Sequence, residues 1–167
     1  MNKIIIYDFD GVLTDNRVHI DQNGNEAVIC NRSDGLAISI LRKNNINQII
    51  VSTEKNPVVS SRAKKLKLTH FQGVEDKKKF ICKYSLDNNI DLEKSIYVGN
   101  DLNDLEAMRL FGLKICPNDA YPCVKQISDI ITKTSGGFGV IRELIENNKF
   151  LKFLNLNIWK QLKLVIM

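Results

Sequence analysis

Short apolar runs that end at polar residues constrain the fold of this chain more than any other feature of its sequence. The three clearest runs occupy residues 4–8, 47–53 and 96–98, and they end at Asp8, at Ser52-Thr53 and just before Gly99-Asn100-Asp101. Continuous apolar runs of this length are typical of strands buried on both faces of a parallel sheet. Stretches with helical spacing separate them, so the sequence predicts an α/β fold: a Rossmann-like, three-layer α/β/α arrangement around a parallel sheet.

The stretch after the first strand predicts a small insertion. Residues 17–30 alternate loosely around Asn23-Gly24-Asn25, and Asn-Gly between two such runs is typical of a β-hairpin. A helix follows the hairpin, and Ser33 or Asp34 is its expected N-terminal cap.

Two segments divide the chain. Residues 1–149 form one predicted domain, because a chain of 167 residues suits a single hydrophobic core and no repeat or linker interrupts it. Residues 150–167 mix apolar residues with lysines at the spacing of an amphipathic helix. This tail is expected to pack either on its own domain or on a neighbouring subunit.

Composition argues against several classes of partner. The net charge is +5, but the lysines are scattered and aromatic residues do not interleave with them, so we expect no nucleic-acid partner. No apolar run is long enough to span a bilayer, and the N-terminal apolar stretch is too short for a signal peptide. These features predict a cytoplasmic protein without a membrane partner. The four cysteines form no CxxC pair, so a zinc site is not expected.

Polar residues that suit phosphate chemistry gather at the predicted strand ends, where open parallel sheets bind their ligands. The candidates are Asp8, Asp10, Ser52, Thr53, Asn100, Asp101 and Asp104, with Lys77 at the start of an intervening helix. Carboxylates two positions apart crowd negative charge, which a divalent cation relieves, and Mg²⁺ prefers oxygen ligands. The predicted magnesium ligands are Asp8, Asp10, Asn100 and Asp101.

These candidates predict hydrolysis of a phosphate ester. Asp8 is the predicted nucleophile, and Asp10 is the predicted acid that protonates the leaving oxygen, a role that needs a raised pKa. The phosphoryl oxygens would be held by Ser52, Lys77 and the backbone amides around Gly11 and Thr53. Lys77 would also neutralise the charge that Asp8 shares with the phosphate.

The same motifs resemble those of the haloacid dehalogenase superfamily of phosphatases. Residues 8–15 match its first motif, Ser52 the second, Lys77 the third and residues 99–104 the fourth. The resemblance spans residues 3 to 146 and implies a magnesium-dependent enzyme that forms an aspartyl-phosphate. Asn100 departs from the pattern, because the superfamily usually has aspartate there. An asparagine retains a carbonyl oxygen for the metal but loses a charge.

A narrower resemblance is to the capless phosphatases of ulosonic-acid biosynthesis, which act on acylneuraminate 9-phosphates or on 3-deoxy-octulosonate 8-phosphate. The supporting segments are residues 31–35, 72–77 and 136–143. The stretch after the first strand leaves no room for a large cap domain. The resemblance implies a homotetramer assembled through the hairpin near 17–30, in which neighbouring subunits cover each active site. The same module also occurs fused to acylneuraminate cytidylyltransferases, which implies a functional link to such an enzyme.

Two substrates compete within this group. Residues 52–55 depart from the Thr-Gly-Arg usual in the octulosonate type, and Glu54 with Arg62 and Lys65 is similar to the nine-carbon type. We expect Glu54 to accept hydrogen bonds from substrate hydroxyl or amine groups. Arg62 and Lys65 would meet the substrate carboxylate from a neighbouring subunit, or lie on a solvent-exposed helix face. A sialic-acid-like 9-phosphate is therefore the first hypothesis and octulosonate 8-phosphate the second.

A third hypothesis belongs to a different class. A non-catalytic module could use the same fold to tetramerise a cytidylyltransferase partner. Asn100 and the apolar tail favour this hypothesis, whereas the complete first motif, residues 8–15, argues against it.

Overall fold

A six-stranded parallel sheet organises the chain. The computed structural model describes residues 2–157. The strands are β1 (Ile4–Tyr7), β2 (Thr14–Ile20), β3 (Glu26–Cys30), β4 (Asn47–Val51), β5 (Thr69–Phe71), β6 (Ile96–Val98), β7 (Leu113–Cys116) and β8 (Ile130–Ile131). The sheet has the order β5-β4-β1-β6-β7-β8, and β2 and β3 form a separate antiparallel hairpin.

Helices cover both faces of the sheet. They are α1 (Arg32–Lys43), α2 (Val58–Leu66), α3 (Lys77–Asp87), α4 (Leu102–Met108), α5 (Pro122–Ile127), α6 (Val140–Leu144) and α7 (Asn148–Leu154). The core on one face contains side chains from α1, α2, α6 and α7, and the core on the other contains side chains from α3, α4 and α5. This arrangement confirms the predicted three-layer α/β/α fold with a small hairpin insertion.

The central strand explains why the sheet needs helices on both faces. Ile5 and Tyr7 of β1 point into one core, and Ile4 and Ile6 point into the other. All four side chains are at most 3% exposed. Because burying one large apolar side chain contributes about 1.5–3 kcal/mol, a strand of this composition is stable only between two apolar layers.

The first helix begins earlier than the sequence predicted, so the proposed caps Ser33 and Asp34 are wrong. Asn31 has extended backbone angles, and its side-chain oxygen accepts a hydrogen bond from the Ser33 amide at 2.9 Å. A cap of this kind typically contributes about 1 kcal/mol. Asp34 instead turns into the core, where it accepts a hydrogen bond from the amide of Arg142 at 3.0 Å.

The hairpin and the last described helix pack differently on the same core. Val28 and Cys30 of the hairpin are half-buried against it. In α7, buried apolar side chains join the core of the domain: Phe150, Leu151 and Leu154. The remainder of the predicted amphipathic tail, residues 158–167, lies outside the described residues. Among the helices that the structure describes, none combines the length and apolar character needed to cross a membrane.

Candidate active site

The site lies where three neighbouring strands end. In the sheet, β1 lies between β4 and β6, so the loops that follow these strands meet at its carboxyl edge. They enclose a cavity of about 180 Å³. Its lining residues are Asp8, Asp10, Asn16, Ser52, Thr53, Asn100, Asp101 and Asn103. The structure thus brings together most of the residues that the sequence singled out.

A buried lysine joins two carboxylates beside this cavity. Lys77 Nζ lies 2.7 Å from Asp8 Oδ1 and 2.7 Å from Asp104 Oδ1. The amide of Phe9 also donates to Asp8 Oδ1, at 2.7 Å. The Lys77 and Asp104 side chains are fully buried, and that of Asp8 is 6% exposed. One oxygen of Asp8 is therefore held firmly, and the nucleophile predicted from sequence has a fixed orientation.

Electrostatic interactions among these residues shift the pKa values of Asp8 and Lys77. Burial and the neighbouring Asp104 raise the pKa of Asp8, and Lys77 opposes that rise. Burial by itself would lower the pKa of Lys77, but Asp8 and Asp104 more than compensate, so the pKa of Lys77 lies above its ordinary value. Lys77 therefore remains cationic. Further positive charge beside Asp8 would favour its ionised form.

Asp10 has the surroundings expected of a general acid. It is half-buried and lines the cavity, and Thr14 Oγ1 donates to its Oδ1 at 3.2 Å. Burial raises the pKa of Asp10, and the hydrogen bond from Thr14 limits the rise. A raised pKa allows this carboxyl to hold a proton at a higher pH than an exposed aspartate does.

Three oxygens converge between Asp8, Asp10 and Asn100. In this structure the amide oxygen of Asn100 faces Asp8 Oδ2 at 3.2 Å and the backbone oxygen of Asp10 at 2.9 Å. All three are acceptors, so either a cation lies between them or the amide turns over and donates to both. A hard divalent cation fits this set of one carboxylate, one backbone carbonyl and one amide oxygen.

The predicted metal ligand Asp101 also caps a helix. It is the N-terminal cap of α4, and its Oδ1 accepts a hydrogen bond from Leu102 N at 2.6 Å. Asp104 completes a capping box by accepting hydrogen bonds from the amides of Asn100 and Asp101 at 2.9 and 3.3 Å. Among the described residues, no group of three or more His, Cys, Asp or Glu side chains is placed to hold a metal. The candidate metal position is therefore the one between the converging oxygens of Asp8, Asp10 and Asn100.

The predicted phosphate-binding residues Ser52, Thr53 and Gly11 already make hydrogen bonds within the protein, and these differ among the three. Ser52 is 1% exposed, and its hydroxyl oxygen accepts a hydrogen bond from the amide of Glu54 at 3.0 Å. Thr53 Oγ1 accepts one from Asn103 Nδ2 at 3.3 Å, at the exposed edge of the cavity. The Gly11 amide donates to Thr14 Oγ1 at 3.2 Å, within its own loop.

Gly11 matters for a different reason. Its φ is +78°, a conformation that favours glycine. A Cβ at this position would lie 2.0 Å from Asn100 Nδ2. The absence of a side chain therefore lets the Asn100 amide approach the first loop.

A second cavity, of about 250 Å³, adjoins the first. Its lining residues are Asp10, Asn16, Arg17, Val18, Glu26, Val28, Glu54 and Val58. It shares Asp10 and Asn16 with the first cavity, so a phosphate ester could extend from one into the other. One oxygen of Glu54 accepts hydrogen bonds from the amides of Lys55 and Asn56, at 2.6 and 2.7 Å.

The structure does not bring Arg62 and Lys65 into either of these two cavities. Both residues lie on α2 and line a basic cavity of about 450 Å³ with Arg32 and Arg42. They also line a cavity of about 520 Å³ that shares Glu26, Val28 and Val58 with the second cavity. The Arg62 guanidinium donates to the Asn31 carbonyl at 2.7 Å. Within one chain, these two cations therefore line a cavity that adjoins the one containing Asp10 and Glu54, but not that cavity itself.

Sequence reasoning missed several residues of the site. Asn16 and Asn103 line the first cavity, and the Tyr97 hydroxyl donates to Asp104 Oδ1 at 2.8 Å. The sequence places Asp104 among the candidates and in the fourth motif but indicates no individual role for it. Asn103 lies within the fourth motif, residues 99–104, and could have been found from that signal. The buried tyrosine carried no such signal, because a strand residue of this type is ordinarily part of the core.

Comparisons with known proteins identify the family of this chain. Residues 40–144 match the family described as haloacid dehalogenase-like hydrolase. The 3-deoxy-D-manno-octulosonate 8-phosphate phosphatase of Escherichia coli (strain K12) is 32% identical over 145 residues, which cover 86% of this chain and 77% of that protein. A probable YrbI family phosphatase of Pseudomonas syringae pv. phaseolica 1448a has a TM-score of 0.88 and 34% identity over 98% of this chain and 93% of that one.

A third relative was solved with ligands. The 3-deoxy-D-manno-octulosonate 8-phosphate phosphatase of Moraxella catarrhalis was crystallised in complex with a magnesium ion, a phosphate ion and a KDO molecule. Its structure has a TM-score of 0.84 and 31% identity, with 91% of this chain and 87% of that chain covered.

The fold and the site together define a phosphatase with its reactive residues at the carboxyl edge of a parallel sheet. The chain belongs to the haloacid dehalogenase-like hydrolases. Its relatives lie within the predicted group of capless ulosonic-acid phosphate phosphatases, so the prediction of that group and of a phosphatase is confirmed.

Proposed function

We propose that this phosphatase hydrolyses 3-deoxy-D-manno-octulosonate 8-phosphate with Mg²⁺, through an aspartyl-phosphate on Asp8. The observation that carries the chemistry is the 2.7 Å contact of Lys77 Nζ with Asp8 Oδ1 beside the first cavity. The substrate is proposed from the relatives of Escherichia coli and Moraxella catarrhalis, whose names specify this ester. The eight-carbon substrate, the second hypothesis from sequence, therefore moves ahead of the nine-carbon one.

Asp8 and Asp10 have complementary roles in the proposed reaction: Asp8 is the nucleophile, and Asp10 transfers the protons. Asp8 attacks phosphorus, the ester P–O bond breaks, and Asp10 gives its proton to the leaving oxygen. Asp10 then takes a proton from a water molecule that attacks the phosphoryl group, which frees phosphate and restores Asp8. A bound Mg²⁺ would be held by Asp8, the backbone oxygen of Asp10 and Asn100, and would offset negative charge on the phosphate.

Lys77 and Ser52 complete the proposed phosphate site. Lys77 stays cationic beside Asp8, so it offsets the charge that builds up as the carboxylate meets the phosphate. The Ser52 hydroxyl already accepts a hydrogen bond from the Glu54 amide, so its own proton remains available for a phosphoryl oxygen.

A nine-carbon, sialic-acid-like 9-phosphate is the second candidate, and Glu54 is the observation that favours it. Glu54 lines the cavity that continues from the phosphate end, together with Asp10. Hydrogen bonds from Lys55 and Asn56 hold one of its oxygens at the end of β4. The carboxylate is thus positioned to accept hydrogen bonds from substrate hydroxyl or amine groups.

Steady-state assays with both esters and Mg²⁺ test the choice. We expect a higher kcat/KM for the octulosonate 8-phosphate, and a higher value for an acylneuraminate 9-phosphate would reverse the order of the two candidates. Glu54→Gln should reduce kcat/KM for the nine-carbon ester more than for the eight-carbon one. Glu26→Gln is the matched control, because it removes the same charge from the same cavity at a hairpin residue.

Assembly is proposed separately from the chemistry. Three apolar side chains of the hairpin are exposed: Val18 by 50%, Ile20 by 60% and Ile29 by 67%. We propose that they bind other copies of the chain in a homotetramer, since exposed apolar groups favour association. Arg62 and Lys65 would then reach the substrate carboxylate of a neighbouring subunit.

The functional link to a cytidylyltransferase stays a prediction. The cytoplasmic location also stays a prediction, and the four free cysteines are compatible with it.

A further inference from the structure

Asp104 is the shared partner of several groups behind the active site, and its two oxygens have separate tasks. Oδ2 accepts hydrogen bonds from the backbone amides of Asn100 and Asp101, which connects it to the start of α4. Oδ1 accepts hydrogen bonds from Lys77 Nζ at 2.7 Å and from the Tyr97 hydroxyl at 2.8 Å. The orientation of the Asp104 carboxylate therefore sets the position of the second hydrogen-bond acceptor of Lys77.

Tyr97 is built into the sheet at a fixed place. It lies in β6, is fully buried, and pairs with Ile6 on one side and Lys114 on the other. Its ring meets that of Phe111 edge-on, with the ring centroids 5.2 Å apart. A side chain held by two neighbouring strands and an aromatic contact presents its hydroxyl with little freedom.

The neutral Tyr97 hydroxyl suits the position beside Asp104 better than a second cation would. Asp8 and Asp104 carry two potential negative charges, and Lys77 supplies one positive charge between them. A neutral O–H donor stabilises the Asp104 carboxylate without drawing Lys77 away from Asp8. Burial and the Asp104 carboxylate raise the pKa of Tyr97, so its hydroxyl keeps its proton and remains a donor.

We infer that Tyr97 is a positioning residue: by holding Asp104 Oδ1, it keeps the Lys77 ammonium directed at Asp8. Tyr97 has no contact with the proposed substrate cavity, so it acts through these two residues. The inference rests on the proposed phosphatase chemistry but is independent of which sugar ester is hydrolysed.

The chain offers a matched control on the adjacent strand. Tyr7 in β1 is also fully buried, and its hydroxyl donates to Gln48 Oε1 at 2.8 Å. It faces the core on the opposite side of the sheet from Tyr97. Tyr97→Phe and Tyr7→Phe therefore each delete one buried hydroxyl and one hydrogen bond, and only the first touches Asp104.

Kinetics and thermal unfolding of the two variants test the inference, with the phosphate ester that the wild type turns over fastest. We expect Tyr97→Phe to lower kcat about tenfold with KM changed less than about twofold, because a misplaced lysine affects the reaction more than ground-state binding. Tyr7→Phe should retain kcat while losing a similar amount of thermal stability. Wild-type kcat in Tyr97→Phe, or an equal fall of kcat in both variants, would refute the positioning role.

Crystal structures of the same variants separate this inference from the proposed function. In Tyr97→Phe we expect Lys77 Nζ to leave its 2.7 Å contact with Asp8 Oδ1, and in Tyr7→Phe we expect that contact to persist. An unchanged contact in Tyr97→Phe would refute the inference even if the wild type proved active. Failure of the wild type to hydrolyse any ester would instead refute the proposed function, and the structures would still decide the role of Tyr97.

Discussion

The side-chain amide oxygen of Asn100 lies 3.2 Å from Asp8 Oδ2, the carboxylate oxygen that Lys77 does not contact. An aspartate there would place a second carboxylate against that of Asp8. An asparagine can turn its amide over and donate to Asp8 and to the Asp10 carbonyl, so it suits the site without a cation as well as with one.

Asn100→Asp should therefore bind Mg²⁺ more tightly, by about tenfold, because the number of charged ligands sets the affinity for a hard cation. The same variant should unfold at a lower temperature than the wild type in EDTA, since two carboxylates then repel each other. Titration calorimetry and thermal unfolding measure the two effects. Asn103→Asp adds the same charge at the exposed edge of the cavity and should change the affinity far less. Weaker Mg²⁺ binding by Asn100→Asp would contradict the assignment of that residue to the metal.

Replacing the proposed nucleophile, Asp8, distinguishes a phosphatase from a non-catalytic assembly module. Asp8→Asn should lower phosphate release by at least about 10³-fold, because an amide does not form the phosphoenzyme. Asp87→Asn, at the exposed end of α3, is the control and should retain activity. Equal phosphate release by Asp8→Asn and the wild type, or no release by either, would favour the module hypothesis.

The buried carboxyl of Asp34 should make the stability of the fold depend on pH. Burial raises the pKa of Asp34 from its ordinary value of 3.8 to about 6, and its Oδ2 has no hydrogen-bond partner among the described residues. The folded state binds this proton more tightly than the unfolded chain does. Its contribution to stability is therefore complete below pH 3.8 and is lost as the pH rises through 6.

Asp34→Asn removes this titration, so its unfolding free energy should rise relative to that of the wild type by about 1 kcal/mol between pH 5 and pH 8. Urea unfolding at the two pH values measures the difference. Asp21→Asn at the exposed hairpin is the control, because hydrogen bonds from Asn25 lower the pKa of Asp21 and its titration ends below this range. A difference that stays constant with pH would show that Asp34 does not titrate in this window.

A charge on the hairpin should disrupt the proposed tetramer. Ile20→Lys places an ammonium on an apolar surface that, by the proposal, is buried between copies. Light scattering coupled to size-exclusion chromatography should show smaller species, with a lower kcat/KM if neighbouring subunits complete the site. Leu86→Lys is the matched control, because Leu86 is 82% exposed on α3, away from the hairpin. Dissociation by both variants, or by neither, would argue against the hairpin as the assembly surface.

The fold and the first elements of the site could be predicted because their signals are local. A continuous apolar run followed by an acid is enough to place Asp8 at the end of a buried strand. Glycine at position 11 and the turn residues of the hairpin are likewise properties of a few neighbouring residues. The prediction of the first helix cap failed because both Asn31 and Ser33 suit the role, and only the backbone angles decide between them.

The sequence by itself determined a parallel α/β sheet with acids, a serine and an asparagine at its carboxyl edge. Only the tertiary structure decided how they combine: that Lys77 joins Asp8 to Asp104, that Tyr97 supports Asp104 from within the sheet, and that Arg62 lies outside the catalytic cavities. These contacts join residues from different strands and helices. Their distances depend on strand register and helix packing, which no local pattern of side chains specifies.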